Sequence, residues 1–437
     1  MTSEEAHMKP TGKGLKMQCP LLGLFASVVL AVPVAASTDP NTLKDLDDCL
    51  RYAALHNAGL QARFEAFKAA VEAVPQAQAL PDPRFEYRYF IEHVETRVGP
   101  QEHSFGFMQT FPWFGKIAAR TDAAAAAAKA AHKRYEAERL KLFYEVRSAY
   151  YEYAYLHRAV RLAEQNVELV EHFEEVARAR FAAAAGSHPD VLQAQIEVDI
   201  LLDRLARVRE MLKPQRARLN RVMNRSSTAA VPPPGPLEYQ PVAVSTEQLL
   251  ARLRMANPQL TALDHELDAA RNRIALAEKR TYPDVTLGLG WIDTGRSSMP
   301  VHDSGKDPVI ATLSVNLPIW ADSYNAGKRQ AQAAARQVRL ERIQQENDLA
   351  TRALEVLFGL EDAERRVRLY RESLVPKARQ MVQVAEDSYR TGAVDFSTLI
   401  EAQRSLLRFE LEDERAQADH LQRLAELEML AGGPLKP

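Results

Sequence analysis

Four segments of about ten residues alternate between apolar side chains and polar or small ones, the period-two pattern typical of β-strands. These predicted strands cover residues 83–92, 103–112, 284–293 and 308–318. One apolar face on every strand is the pattern of a transmembrane β-barrel. A soluble antiparallel sheet with one face on a core has the same pattern, and this alternative stays open.

Two much longer segments carry apolar residues at alternating steps of three and four. The first is predicted to be helical over residues 116–182, about 100 Å at roughly 1.5 Å per residue. The second covers residues 325–390, where Pro376 is expected to bend or join the helix. A period of 3.5 residues predicts a left-handed coiled seam. Shorter helices are expected over residues 189–225 and 395–431.

The chain contains two similar halves. "LHNAGLQA" at 55–62 resembles "RMANPQLTA" at 254–262, and "LPDPRFEYRYF" at 80–90 resembles "YPDVTLGLGWI" at 282–292. Similar segments in one order predict an internal repeat of helix, strand, strand, long helix and helix. The predicted boundaries are a first repeat at 37–225, a proline-rich connector at 226–245 and a second repeat at 246–431.

The N-terminus has the pattern of an export signal. Lys13 and Lys16 precede an apolar run, and small residues close it at Ala36, which predicts a cleaved signal peptide over residues 1–36. An N-terminal membrane anchor is the alternative. Cleavage would leave Cys49 as the single cysteine, which excludes an internal disulfide.

Composition narrows the function further. The charges of the 56 basic and 58 acidic residues nearly cancel, so the sequence has no excess of positive charge that would indicate binding to nucleic acid. We find no paired carboxylates with a matched base, nucleophile motif, phosphate loop or zinc spacing, so neither an enzyme nor a cofactor is predicted. Four strands are too few to close a barrel, and an open sheet edge is not stable in lipid. A barrel would therefore require several copies of the chain.

Three motifs resemble the TolC-type outer-membrane efflux protein family: "LPDP", "FPWFGK" and "YRTGAVDFSTLIEAQ". "FPWFGK" is most similar to the heavy-metal branch of that family, the Cus and Czc type channels. The resemblance implies a mainly α fold with a β-barrel part. In that family three chains form a twelve-stranded barrel in the outer membrane of a Gram-negative bacterium, continued by a twelve-helix α-barrel in the periplasm.

The resemblance also implies a function and partners. The chain would be the passive exit channel of a tripartite efflux pump, with metal cations as the preferred cargo. A periplasmic adaptor protein and an inner-membrane transporter of the RND type would be its partners, together with outer-membrane lipid. Two alternatives stay open: a channel for drugs or other small molecules, and a periplasmic coiled-coil scaffold or adhesin. His93 and His103 in one predicted external loop, and Met299 and His302 in the other, are possible soft metal ligands or ordinary polar loop residues.

The segment "FPWFGK" is predicted to join the β-barrel to the long helix. Aromatic rings suit a membrane interface, Pro112 cannot donate to a strand ladder, Gly115 allows a sharp turn, and Lys116 can face lipid headgroups. Packing inside a core is the alternative for this cluster. The predicted junction residues are Phe111, Pro112, Trp113, Phe114, Gly115, Lys116, Pro318 and Trp320. Gly327 and Lys328 are expected to repeat the glycine–lysine turn.

The turns at 182–190 and 390–398 are predicted to form a periplasmic mouth. The resemblance places gate or pore residues at Tyr389 and Glu401, whereas Val394 and Thr398 depart from the family's basic and acidic positions. Asp395 is close enough in sequence to replace the missing acid. Alternatively, Asp395 caps the following helix through Ser397 or Thr398, and Glu401 lies on an ordinary solvated face.

Overall fold

A computed structural model describes residues 43–237, 239 and 241–435, so the predicted signal peptide lies outside the described residues. The elements of the first half are α1 Leu46–His56, α2 Ala58–Gln78, β1 Arg84–Thr96, β2 Gly99–Phe111, α3 Lys116–Ala182 and α4 His188–Val222. Those of the second half are α5 Thr246–Ala256, α6 Pro258–Lys279, β3 Val285–Thr294, β4 Val309–Val315, α7 Ala321–Leu369, a π-helical turn Tyr370–Leu374, α8 Val375–Thr391 and α9 Phe396–Leu430.

The four strands form one antiparallel sheet in the order β1-β2-β3-β4. The pairing of β2 with β3 joins the hairpin of the first half to that of the second, with Phe107 opposite Leu289. One face of the sheet carries apolar side chains that are exposed in the single chain, including Phe85, Tyr87, Leu289 and Leu313.

The hairpins differ from the prediction at their turns. β1 continues to Thr96 and β2 begins at Gly99, so a two-residue turn replaces the expected long loop. His93 and His103 therefore lie in strands, which corrects their predicted placement in a loop. β4 ends at Val315, and the side chain of the next residue, Asn316, accepts a hydrogen bond from the backbone N–H of Asp284.

The long helix α3 packs against α2, α4, α6 and α9 along its length. Most of its predicted apolar seam is buried, but Phe181 at its C-terminal end is exposed. In the second half the π-helical turn ends at Leu374, two residues before Pro376, which lies near the start of α8. Proline lacks an N–H group and its ring crowds the preceding turn, so the wider turn accommodates it. In the part of the chain that the structure describes, no helix is both apolar and long enough to cross a lipid bilayer.

Two asparagines occupy matching positions in the two halves. Asn57 lies between α1 and α2, and Asn257 lies between α5 and α6. Asn57 caps α2 by accepting from the N–H of Leu60, and its amide donates to the carbonyl of Val222 at 2.9 Å. Asn257 caps α6 in the same way, and its amide donates to the carbonyl of Leu430 at 2.9 Å. Each asparagine therefore satisfies both a helix N-terminus and the C-terminal end of the last helix in its half.

We expect Asn257→Ala to lower the free energy of unfolding by about 2 kcal/mol, because a cap and a buried hydrogen bond disappear together. Denaturant unfolding of the detergent-purified protein measures this change. Arg336→Ala, an exposed change on α7, is the control and should stay within about 0.5 kcal/mol of wild type. Equal stability of the two variants would contradict the role of Asn257.

Candidate functional site

The connection from β2 to α3 turns at Gly115, which has φ +80° and lies at the N-cap of α3. This left-handed conformation is accessible to glycine at little cost. A Cβ atom at this position would also lie 2.9 Å from the Nζ atom of Lys279 on α6. The backbone conformation therefore favours glycine at the junction, whereas the flexible end of the Lys279 side chain can move aside.

Asp284 is the shared hydrogen-bond acceptor of the junction. Its Oδ1 atom accepts from the backbone N–H of Trp113 at 2.8 Å and from Lys116 Nζ at 2.7 Å. Lys116 also donates to the carbonyl of Tyr282 at 2.7 Å, and its side chain is only 13% exposed. The prediction that Lys116 faces headgroups is wrong, because the ammonium group is used to bind the segment before β3.

The aromatic residues of the junction divide into two groups. Trp113 is half-buried and stacks on Tyr282, with ring centroids 5.8 Å apart and planes at 7°. Phe114 is 86% exposed, and Phe111 at the end of β2 is also exposed. Trp113 thus holds the two halves together, whereas Phe114 is available to the surroundings.

The second junction, which connects β4 to α7, has a different construction. Trp320, 71% exposed, occupies the N-cap of α7, two residues after Pro318. Gly327 lies inside α7, and Lys328 forms an ion pair with Glu278 on α6 at 2.8 Å. The expectation that Gly327 and Lys328 repeat the first turn is therefore wrong, because the chain has already entered the helix before it reaches them.

At the far end of the helices, Tyr389 connects the two helix hairpins. It is 2% exposed, and its hydroxyl donates to Asp190 Oδ2 on α4 at 3.1 Å. The Arg180 guanidinium of α3 lies over its ring at 4.5 Å, and Phe396 packs against its edge. Burial, together with the hydrogen bond to Asp190, raises the pKa of Tyr389 to about 12, so the hydroxyl remains a donor at neutral pH.

The two turns at this end lie beside each other. Arg180 donates to the carbonyl of Ala185 within the first turn at 2.7 Å. The second turn reverses at Gly392, which has φ +79° and whose added Cβ would lie 3.2 Å from Arg180 Nη2. Arg180 thus contacts both turns.

The predicted acidic residues of the second turn are exposed. Asp395 occupies the N-cap of α9 without a side-chain cap bond, and its backbone carbonyl accepts from the N–H of Thr398 at 3.1 Å. Its carboxylate is therefore not committed to Ser397 or Thr398. Glu401 is exposed on α9, one turn before Arg404.

Arg404 forms an ion pair with Glu197 of α4. The hydrogen bond with Glu197 is the largest influence that raises the pKa of Arg404, and Glu401 makes a smaller contribution. Glu401 is therefore close enough to interact electrostatically with Arg404, which already forms an ion pair with Glu197.

Sequence reasoning missed Asp284, Asp190 and Arg180. Asp284 belongs to the Pro-Asp pair that was recognised only as part of the repeat, and Asp190 stands in the helix-start pattern "SHPD". Ser187 caps α4 through the N–H of Asp190, which is the local role that the pattern suggests. Arg180 has no local signal, because its contacts depend on how the hairpins pack.

A family comparison identifies the class of protein. The model of the outer membrane efflux protein family matches residues 51–225 and 249–433, which together are most of the chain. The chain belongs to the outer membrane efflux protein family. The resemblance drawn from the sequence motifs is therefore confirmed, and with it the location in the outer membrane of a Gram-negative bacterium. The family is one of efflux proteins and not of enzymes.

Two curated outer-membrane and resistance proteins are similar to this chain over most of its length. The cobalt-zinc-cadmium resistance protein CzcC of Cupriavidus metallidurans is 22% identical over 83% of this chain and 84% of its own. The pyoverdine export outer membrane protein OpmQ of Pseudomonas putida is 25% identical over 74% of this chain and 68% of its own.

Solved structures of outer-membrane proteins have the same fold. The outer-membrane channel OprN superposes with a TM-score of 0.74 at 17% identity, covering 89% of this chain and 90% of its own. CusC gives a TM-score of 0.74 at 15% identity, covering 89% and 92%. VceC of Vibrio cholerae gives 0.73 at 19% identity, covering 90% and 97%.

The two glycine–lysine pairs provide a matched test of the junction. Gly115→Ala should lower the free energy of unfolding by about 1–2 kcal/mol because of the left-handed backbone, since the flexible end of Lys279 can move away from the added Cβ. Gly327→Ala, in a helix with nothing near its added Cβ, should stabilise by up to about 1 kcal/mol. Denaturant unfolding of both variants measures these changes. If Gly327→Ala destabilised the protein and Gly115→Ala did not, the role of Gly115 in the turn would be refuted.

Proposed function

We propose that three copies of this chain form a closed channel: a twelve-stranded β-barrel in the outer membrane, continued by twelve helices across the periplasm. The channel is the passive exit of a tripartite efflux pump and exports metal cations. The observation that carries the proposal is a four-stranded sheet with an apolar exposed face and two unpaired edges, joined directly to very long helices.

The edges of the sheet support a closed assembly. β1 and β4 each pair with one neighbouring strand among the described residues. Unpaired backbone groups in a lipid environment cost several kcal/mol each, so a lipid-facing sheet must close on itself. β4 of one copy pairing with β1 of the next satisfies both edges, and three copies supply twelve strands, well above the minimum of about eight.

The helices support a periplasmic extension of the same channel. α3 has 67 residues, which corresponds to about 100 Å at roughly 1.5 Å per residue. In each half one long helical segment, α3 or α7 with α8, pairs with one returning helix, α4 or α9, so each chain supplies four helical segments to this extension. Three copies supply twelve.

The hairpin ends support a gate at the periplasmic mouth. Tyr389 is buried and does not line a channel in this conformation, so its role is to hold the hairpins together through Asp190. Breaking that hydrogen bond frees the second hairpin to move away from the first. Asp395 and Glu401 are exposed close to the same end, where three copies would place rings of negative charge. Such rings attract cations and repel anions.

The metal cargo is supported by the similarity to the cobalt-zinc-cadmium resistance protein, which extends over 83% of this chain. CusC has the same fold. The similarity to the pyoverdine export protein OpmQ favours a second candidate, an organic small molecule. We place metal cations first because the resistance protein matches over more of both chains. Export driven by a pump also requires the periplasmic adaptor and the inner-membrane transporter of the RND type as partners.

Oligomeric state tests the assembly. Native mass spectrometry of the protein extracted from outer membranes in detergent should give a mass three times that of the mature chain. The reason is that a single copy leaves both sheet edges open. A stable, folded monomer in detergent would refute the proposed channel.

Tyr389→Phe tests the gate. Loss of a hydrogen bond worth about 1 kcal/mol should shift the equilibrium between closed and open hairpins about fivefold toward the open state. Single-channel conductance of the purified protein in planar bilayers should therefore rise. Tyr370→Phe is the control, because among the described residues the Tyr370 hydroxyl has no hydrogen bond, and its ring contacts Phe409. Equal conductance of Tyr389→Phe and wild type would place the gate elsewhere.

Glu401→Gln tests the charged ring in the same bilayers. Removing three negative charges from a narrow passage should lower the ratio of cation to anion permeability. Glu247→Gln on α5 removes the same number of charges far from the hairpin ends and should leave the ratio unchanged. If Glu401→Gln and Asp395→Asn, alone and together, keep the wild-type ratio, the ring is not at this end.

A further inference from the structure

A histidine and two carboxylates come together at the end of the sheet that is remote from the helices. One potential ligand atom from each of Glu102, His103 and Asp293 lies within 4.8 Å of the other two, and all three residues are half-buried. His103 stands eight residues before the end of β2 at Phe111, or about 26 Å at roughly 3.3 Å per residue. The cluster is therefore separate from both the junction and the hairpin ends.

The strand register explains why these three side chains meet. His103 of β2 lies directly opposite Asp293 of β3. The next pair is Gln101 with Thr294, so Glu102 is an extra residue without a partner on β3. Such a bulge interrupts the strict alternation of side chains and re-aims one of them. In this sheet it brings the Glu102 carboxylate beside His103 instead of to the opposite face.

The ring of His103 is held by a neighbouring strand. Its Nδ1 atom is 2.9 Å from the hydroxyl of Tyr87 on β1, and the two rings stack with centroids 5.9 Å apart. The tautomer in which Nδ1 donates to Tyr87 leaves the Nε2 lone pair free for a metal. A second hydrogen bond of this kind is what orients histidine ligands in metal sites.

We propose that Glu102, His103 and Asp293 bind one divalent transition-metal ion per chain, of the zinc and cobalt class. One imidazole nitrogen and two carboxylate oxygens suit these ions, with water in the remaining positions. Magnesium and calcium, which prefer ligand sets made of oxygen, fit the cluster less well.

The site joins β2 of the first hairpin to β3 of the second, so a bound ion cross-links the two halves of the sheet. It does not include His93, Met299 or His302, and it does not depend on which cargo the channel exports. The sequence prediction grouped His103 with His93 in a loop, whereas the strand register pairs His103 with Asp293.

The experiment uses the full-length protein in detergent after removal of metals with a chelator. Cobalt is titrated and followed by its visible absorption, and zinc is then added in competition. The wild-type protein should bind one cobalt per chain, and zinc should displace it. Tyr87→Phe should weaken binding about 10–100-fold, because the histidine loses its orienting partner. His103→Gln and Asp293→Asn should weaken it further.

His93→Gln and His302→Gln are matched controls, since each removes an exposed histidine outside the cluster. Both should bind cobalt with wild-type affinity. Denaturant unfolding without metal establishes that every variant is folded. Absence of cobalt binding to the wild type, unchanged binding in His103→Gln, or displacement by magnesium as effective as by zinc would each overturn the proposal. None of these outcomes alters the mass or the conductance measured without metal, so failure of this site is distinguishable from failure of the proposed channel.

Discussion

Every backbone N–H and C=O group that lies in lipid needs a hydrogen-bond partner, and within the described part of the chain β1 and β4 each have one open side. An apolar outer face makes the sheet suitable for a membrane but leaves this requirement unmet in one chain. The proposed closure by further copies would set two other requirements, one for the helices and one for the junction. In the proposed assembly the helical segments α3, α4, α7 with α8, and α9 of each chain would continue the wall of the channel. The junction would direct each strand hairpin into its long helix without exposing polar groups.

The first junction meets this demand with one carboxylate. Asp284 accepts from Trp113 and Lys116 of the first half, and its own N–H donates to the side chain of Asn316 in the second. Three segments that are distant in sequence therefore meet at the base of the sheet. Gly115 permits the turn that brings Lys116 into reach, and the stacked rings of Trp113 and Tyr282 cover the contact.

Features that depend on local periodicity were accessible from the sequence. The alternation over residues 284–293 corresponds to β3 at Val285–Thr294, and the uninterrupted apolar seam after Lys116 corresponds to α3. Strand ends were less accessible, since the alternation continues to Leu317 whereas β4 ends at Val315. The two-residue turn between β1 and β2 was missed because apolar alternation weakens toward the hairpin tip.

The candidate site was predicted only in part, for the same reason. Tyr389 was identified through a family motif, but its acceptor Asp190 lies 199 residues away in sequence. Lys116 was placed in the junction, yet its partner Asp284 is 168 residues away and changes its role from lipid contact to ion pair. Contacts of this kind arise from the packing of the two halves and leave no periodic signal in either one.

Disulfide cross-linking between the two sheet edges tests the central claim most directly. Pairs of cysteines are introduced, one in β1 at residues 84–90 and one in β4 at 309–315, and the protein is oxidised in outer membranes. If β4 of one copy pairs with β1 of the next, some neighbouring pairs will give covalent dimers and trimers, whereas cysteines in β2 and β3 will cross-link only within a chain. Failure of every edge pair to join chains, with the protein folded in the membrane, would contradict the account.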